Sequence, residues 1–289
     1  MCIRKEVFIV NIKITADSTC DLSREIIEKY NIDILPLYVV EDGKSLRDGV
    51  DISPEDIFDF VDKTGGSVST SAVNTSDYIN YFTKMKKYCD AIIHINISSD
   101  FSSCYQNALI AAETVEGVYP IDSRNLSTGS GHIVVEAAKM AESGASPDEI
   151  VSAMKELTEK VEASFIIEKL DYLRRGGRCS ALAALGANLL SLRPCIEVKD
   201  GKMGVGKKYR GNMVKVAEQY VKDRLEGRTD IQTDRIFVTH SPSDRELIEA
   251  VKAEIPKYCQ FDEIIETDAG CTVASHCGPN TIGILFKRK

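Results

Sequence analysis

Apolar and β-branched residues dominate from Phe8 to Thr15, which predicts a strand that ends in the polar turn Asp17-Ser18-Thr19. Leu22, Ile26 and Ile27 then recur at helical spacing, so Leu22 to Tyr30 is expected to be a helix. Ile32 to Val40 follows as a strand closed by the Asp42-Gly43 turn. Ser53-Pro54-Glu55-Asp56 has the make-up of a helix start: a hydroxyl cap, proline in the first turn and acids near the positive end of the dipole. That helix should reach about Lys63, before a hydroxyl-rich loop from Thr64 to Thr75. Tyr78, Phe82 and Met85 mark a helix over Asp77 to Lys87. Strand Ala91 to Ile97, loop Ser98 to Ser103, helix Tyr105 to Glu113 and strand Val118 to Ile121 come next. A polar loop over Asp122 to Gly131 leads to helices at His132 to Glu142 and Pro147 to Lys160.

The pattern changes in the second half. Phe165 to Glu168 reads as a strand, Leu170 to Arg175 as a short helix stopped by Gly176-Gly177, and Ala181 to Leu190 as a helix. Cys195 to Val198 and Lys202 to Lys207 flank Asp200-Gly201, the strongest short hairpin pattern in the chain. A helix over Asn212 to Leu225, strand Ile236 to Thr239, helix Ser243 to Lys257 and strands Asp262 to Thr267 and Thr281 to Phe286 complete the reading. Alternating strands and helices in the first half imply a mostly parallel sheet flanked by helices. The hairpin and helices of the second half imply an α+β unit with a mixed or antiparallel sheet. The expected class is therefore α/β, with an N-terminal domain over 1–163 and a C-terminal domain over 164–289. Ligands of parallel α/β sheets sit beyond the carboxyl ends of the strands. Asp17 to Asp21, Ser98 to Ser103 and Asp122 to Gly131 occupy that place.

Composition narrows the function classes. The 289 residues carry a net charge of −8, which argues against nucleic acid or an anionic membrane surface as the main partner. No apolar run approaches the roughly 20 residues that span a bilayer, and no secretory segment is expected, so the chain reads as cytoplasmic and free of stable membrane insertion. Nine cysteines without a Cys-x-x-Cys pair fit thiols in a reducing compartment. Cys271, His276 and Cys277 match no common zinc spacing, so no metal is expected, and the segment reads as a tight glycine turn beside a strand.

Hydroxyl density is the main chemical clue. Ser67, Ser69, Thr70, Ser71, Thr75 and Ser76 crowd one loop, and Ser98, Ser99, Ser102 and Ser103 crowd another. Hydroxyls and open backbone N–H groups at a helix start can hold an anion, although the same residues also serve as ordinary caps and turns. Catalysis finds less support. There is no phosphate-binding glycine loop and no Gly-x-Ser-x-Gly elbow; Gly129-Ser130-Gly131-His132 resembles the latter only superficially, and His94 lies in an apolar strand. No catalytic residue is assigned. Arg174, Arg175 and Arg178 bracket Gly176-Gly177, where an arginine fork suits carboxylate or phosphate. Lys207, Lys208 and Arg210 form a second basic cluster, and His276 stands in a glycine-proline turn.

Taken in order, these motifs resemble the DegV family. Asp17-Ser18-Thr19-Cys20-Asp21-Leu22 is similar to its opening acidic turn, and Ser69-Thr70-Ser71 to its threonine-serine loop. Ser98-Ser99-Asp100-Phe101-Ser102-Ser103-Cys104-Tyr105-Gln106 resembles its second serine loop. Leu170-Asp171-Tyr172-Leu173-Arg174-Arg175-Gly176-Gly177-Arg178 is the most specific match, and His276-Cys277-Gly278-Pro279 resembles the closing turn. The resemblance implies a fatty-acid-binding protein of EDD fold without catalysis of its own or a cofactor. A long-chain acyl group would lie in an apolar tunnel between the domains, with its carboxylate on Thr70 and Ser102. It further implies a partner, the ATP-binding subunit of a fatty acid kinase, to which the carboxylate is presented. Ser71, Ser99, Arg178, Arg210 and His276 would be additional head-group, phosphate or partner contacts. The alternative is an enzyme on the same scaffold, a phosphotransferase or hydrolase acting on a small anion. Ser103 and Cys104 stand where the family has glycine and threonine, which bears on head-group geometry; the family's proline is also missing after Ser71, and Asn280 replaces its last glycine.

Overall fold

The computed structural model describes residues 10–181 and 192–289. The helix expected at 181–190 therefore lies, apart from Ala181, outside the described residues. Strand β1 (Ile12–Asp17) leads through a 3-10 turn at Ser18–Cys20 to helix α1 (Arg24–Lys29) and strand β2 (Asp33–Leu35). The strand expected over Ile32 to Val40 is two strands. Pro36 supplies no N–H, and the Leu37 N–H donates to the Ser18 hydroxyl at 3.1 Å, so the chain leaves the sheet there. It resumes as β3 (Tyr38–Glu41), which turns back at Asp42-Gly43 into β4 (Lys44–Arg47). Helix α2 (Pro54–Thr64) starts as its sequence dictates, with a reciprocal Ser53–Asp56 capping box. The hydroxyl-rich segment after it is not all loop: β5 (Ser69–Ser71) pairs antiparallel with β3. Alternating serine and threonine can sit on a sheet edge as well as in a turn, and the partner strand decides.

Helix α3 (Thr75–Met85), strand β6 (Ala91–Asn96), helix α4 (Cys104–Ala112), strand β7 (Val118–Asp122) and helices α5 (Thr128–Glu142) and α6 (Pro147–Thr158) follow. Sheet order is β2-β1-β6-β7, all parallel. The loops expected to hold a ligand leave β1, β6 and β7 at their carboxyl ends. Part of the last one, Thr128 to Gly131, is already the buried first turn of α5.

Strand β8 (Val161–Ile166) opens a second sheet two residues before the expected division at 163. Helix α7 (Leu170–Gly176) ends on Gly177, whose φ of 66° is the left-handed cap that glycine tolerates best. The hairpin β9 (Leu192–Lys199) and β10 (Lys202–Arg210) turns at Asp200-Gly201 as expected. Then come α8 (Met213–Leu225), β11 (Ile231–His240), α9 (Arg245–Glu254), β12 (Ile264–Asp268), α10 (Cys271–Cys277) and β13 (Ile282–Arg288). The six strands run β10-β9-β8-β13-β11-β12, antiparallel except for the β11–β12 pair. The fold is thus α/β, with a parallel four-stranded sheet and a mixed six-stranded one. Helix α10 corrects the expected glycine turn: His276 is helical.

Helix α5 packs between the two sheets, touching β1 and β6 on one side and β8 and β13 on the other. Its residues are buried nearly all round from Thr128 to Ala138. One apolar cluster therefore runs from Ile14 and Ile93 through Ile133 and Val134 to Phe165 and Leu285. At about 25 cal/mol per Å² of apolar surface, burial of this kind is the main term holding the sheets together. Among the described residues no helix is long and apolar enough to cross a membrane.

Candidate functional site

A cavity of about 120 Å³ lies where the carboxyl ends of the parallel sheet meet α10 and the turn after α7. Thr70, Ser71, Ser102, Ser103, Arg178 and His276 line it on the polar side. Leu37, Ile97, Phe101, Leu126, Met203 and Val273 line it on the apolar side. A second cavity of about 30 Å³ continues inward, sharing Leu126, Val273 and Cys277 with the first and bounded by Phe165, Ala269, Gly283 and Leu285. Four hydroxyl residues on the second cavity's wall, Ser127, Thr239, Ser241 and Thr281, are each bonded within the protein. Ser127 donates to Asp21 at 2.6 Å, Thr239 pairs with Thr128 and Thr267, Ser241 donates to the Gly278 carbonyl, and Thr281 to the Cys277 carbonyl. Paired hydroxyls make few demands on what fills the space, so the inner chamber is apolar in character.

At the mouth, Thr70 Oγ1 and His276 Nε2 are 2.7 Å apart. Burial, and then the nearby Arg178 charge, lowers the His276 pKa to about 4, so the ring is neutral at pH 7. Its Nδ1 is buried without a partner among the described residues and faces Gly176, where a Cβ would stand 2.2 Å away. Glycine at 176 thus lets the imidazole lie flat against the end of α7. Arg178 extends across the same opening and donates to the Gly176 carbonyl at 2.7 Å and to the Phe101 carbonyl at 3.3 Å.

Ser102 accepts from the Cys104 N–H at 3.3 Å and donates to the Cys104 thiol at 3.2 Å, at the start of α4. Burial pushes that thiol up to about 11, so it stays protonated. Ser103 has φ −79° and ψ 3°, an ordinary right-handed conformation that needs no glycine. Its exposed side chain stands at the cavity rim.

The other expected residues divide. Ser71 is exposed and lines the cavity. Ser99 does not line it: its N–H and hydroxyl both donate to Asp122. Arg210 is exposed at the far end of β10, seven residues beyond the cavity-lining Met203, and so about 23 Å along the strand. It does not line this cavity. Thr272 was not expected in the site; it comes in because α10 is a helix, placing it one turn before His276. The spacing of four was visible in the sequence, but the helix was not.

The acidic opening motif serves as scaffold. Asp17 accepts from the Thr19 N–H and hydroxyl and from the Ile97 N–H, joining the ends of β1 and β6. Asp21 accepts from the Ser127 hydroxyl and the Gly270 N–H. Asp48 accepts from the Cys271 and Thr272 N–H groups at 2.7 and 3.1 Å and from Ser18. A carboxylate there satisfies open N–H groups at the start of α10 and complements its dipole.

A family model described as an uncharacterised protein of the DegV family matches residues 11–289. A DegV domain-containing protein of Clostridium acetobutylicum is 35% identical over 280 residues, 96% of this chain and 99% of its own. A fatty acid-binding protein of Thermotoga maritima is 30% identical, covering 95% of this chain and 96% of its own. A solved fatty-acid-binding DegV family protein of Thermus thermophilus superposes with a TM-score of 0.86 at 27% identity, covering 96% of this chain and all of that one.

Proposed function

As this chain belongs to the DegV family, we propose that it binds a long-chain fatty acid, with the carboxylate on Thr70 and Ser102 and the tail in the apolar chambers behind them. One observation carries the reading: a cavity with hydroxyls, Arg178 and a neutral imidazole at its mouth continues inward to largely apolar walls whose hydroxyls are already paired. The similarity to fatty-acid-binding relatives supports it.

The chemistry at the mouth fits an anion. When the neutral His276 carries its proton on Nε2, it donates to Thr70, and the Thr70 proton is left for a carboxylate oxygen. Ser102 has one hydroxyl proton, now turned to a thiol, which is a weak acceptor; a carboxylate is the better one. Arg178 adds a charge-assisted donor at the rim. Each buried CH₂ of the tail contributes about 0.8 kcal/mol, so the tail supplies most of the affinity and the head group mainly sets orientation.

Orientation matters if another protein must reach the carboxylate. We propose that the chain presents this end to the ATP-binding subunit of a fatty acid kinase, which forms the acyl phosphate, while the tail stays enclosed between the parallel-sheet and mixed-sheet halves. The exposed Arg174, Arg175 and Arg178 beside the mouth supply positive charge for such an encounter.

The test is direct. Protein purified from cells, extracted with organic solvent and analysed by mass spectrometry, should release a long-chain fatty acid in near-stoichiometric amount. The Thr70→Ala, Ser102→Ala double variant should release much less while keeping its circular dichroism spectrum. Protein that carries no lipid and takes none up after delipidation would overturn the proposal.

A further inference from the structure

The walls of the cavity contain one buried hydroxyl that has no partner among the described residues. Thr272 is 5% exposed and lines the outer chamber. Its N–H donates to Asp48 and its carbonyl accepts from the Ser275 hydroxyl at 3.0 Å. Its own Oγ1 is buried with no partner among the described residues. The contrast with its surroundings is sharp. Ser127, Thr128, Thr239, Ser241, Thr267 and Thr281 are also buried at or near the cavity, and every one of them is paired. Leaving a buried hydroxyl unsatisfied is unfavourable, whereas a valine of nearly the same shape would carry no such penalty. A threonine in that place makes sense if what enters the cavity brings it a partner.

Its position says where on the ligand that partner sits. Thr272 and His276 are four residues apart on α10, hence on one face and about 6 Å apart along the axis. His276 contacts Thr70, and Thr272 lies one turn away from it, toward the end of α10 that Asp48 caps. Leu37, Ile97, Leu126 and Val273, all apolar, line the same chamber. We propose that the site is built for a fatty acid with an oxygen substituent, a hydroxyl or keto group, a few carbons from its carboxylate, and that Thr272 recognises that oxygen. The inference rests on the fatty-acid reading above and narrows it to a class of acid. A hydroxyl on the ligand can donate to Thr272 Oγ1 or accept from it; a keto oxygen can only accept, and the threonine proton is free to serve either.

Delipidated full-length protein is titrated with hexadecanoic acid and with each enantiomer of 3-hydroxyhexadecanoic acid. Wild type is expected to bind one hydroxy enantiomer roughly tenfold more tightly than the plain acid. Thr272→Val should lose that preference and bind the plain acid more tightly, because the tail then meets a methyl group; Thr272→Ser should keep the preference. Wild type that binds all three equally overturns the inference and leaves the fatty-acid reading standing, as does a preference that survives in Thr272→Val. Equal weakening of all three acids in Thr272→Val assigns Thr272 to the carboxylate and likewise overturns it. Protein that binds none of the three overturns both readings.

Discussion

Thr70 Oγ1 and His276 Nε2 form a 2.7 Å contact across 206 residues of sequence. It joins the edge of a three-stranded sheet to a helix packed against α7, and it fixes the hydroxyl that faces the cavity. Thr70→Val keeps the β-branched shape and removes only the hydroxyl. It should weaken binding of a long-chain fatty acid about tenfold and leave binding of its methyl ester little changed. Displacement of a fluorescent fatty acid by each ligand measures both; equal losses for acid and ester would remove Thr70 from the carboxylate site.

Gly176 is where the imidazole meets the backbone. An added Cβ would lie 2.2 Å from His276 Nδ1, so Gly176→Ala must move the ring and break its contact with Thr70. Alanine is otherwise the better helix residue, so secondary structure should persist. The expected outcome is a fatty-acid affinity lowered several-fold, with a shifted His276 ring resonance in NMR spectra. An unchanged resonance would show that the ring does not depend on this glycine.

Stability should respond to acid through the buried histidines. Burial lowers the pKa of His132 to about 3, with the Arg235 and Lys287 charges adding to the effect. In the unfolded chain His132 returns to about 6.5 and takes up a proton that the folded state refuses. Its contribution is therefore complete above pH 6.5 and is lost as the pH falls toward 3. Asp17 works the other way: burial raises it to about 6, and its contribution is lost as the pH rises through that value. A pairwise comparison isolates the histidine. His132→Gln loses packing at every pH but has no such proton. Its stability deficit against wild type should shrink by about 3 kcal/mol between pH 7 and pH 4. Urea denaturation at each pH measures this; a deficit that stays constant would refute it.

Glu136 on α5 holds two buried cations of the second sheet. Lys287 Nζ lies 2.8 Å from its carboxylate and Arg235 also pairs with it, their side chains being 2% and 5% exposed. Burial would raise the Glu136 pKa, yet these charges outweigh it and bring it down to about 2. Glu136→Ala leaves two buried cations that share Asp234 as their one acid partner among the described residues, and should destabilise the fold by about 3–5 kcal/mol. Chemical denaturation measures it, and a loss below about 1 kcal/mol would make the network a bystander.

Much of the architecture was legible because local patterns and tertiary partners agreed. The Ser53-Pro54 start of α2, the Asp200-Gly201 hairpin and the glycine stop of α7 all form as their residues dictate. The misreadings share one cause. Cys271 to Cys277 has no capping residue beside it, because its cap is Asp48, 223 residues upstream. Ser69 to Ser71 looks like a loop until β3 lies beside it. Ile32 to Val40 looks continuous until Ser18 claims the Leu37 N–H. At the site, Thr70, Ser102, Ser71, Arg178 and His276 gather round one cavity. Ser99 and Arg210 do not, since Asp122 takes one and the length of β10 carries the other away. Thr272 could be seen only once α10 was known to be helical.

The distant cap of α10 bears on when the site can exist during synthesis. Seven residues are too few to hold a helix in isolation. Until Cys271 and Thr272 have emerged and met Asp48, nothing holds α10 and His276 opposite Thr70. On the proposed reading, lipid capture waits for α10, and a product truncated before Cys271 is expected not to hold the ligand.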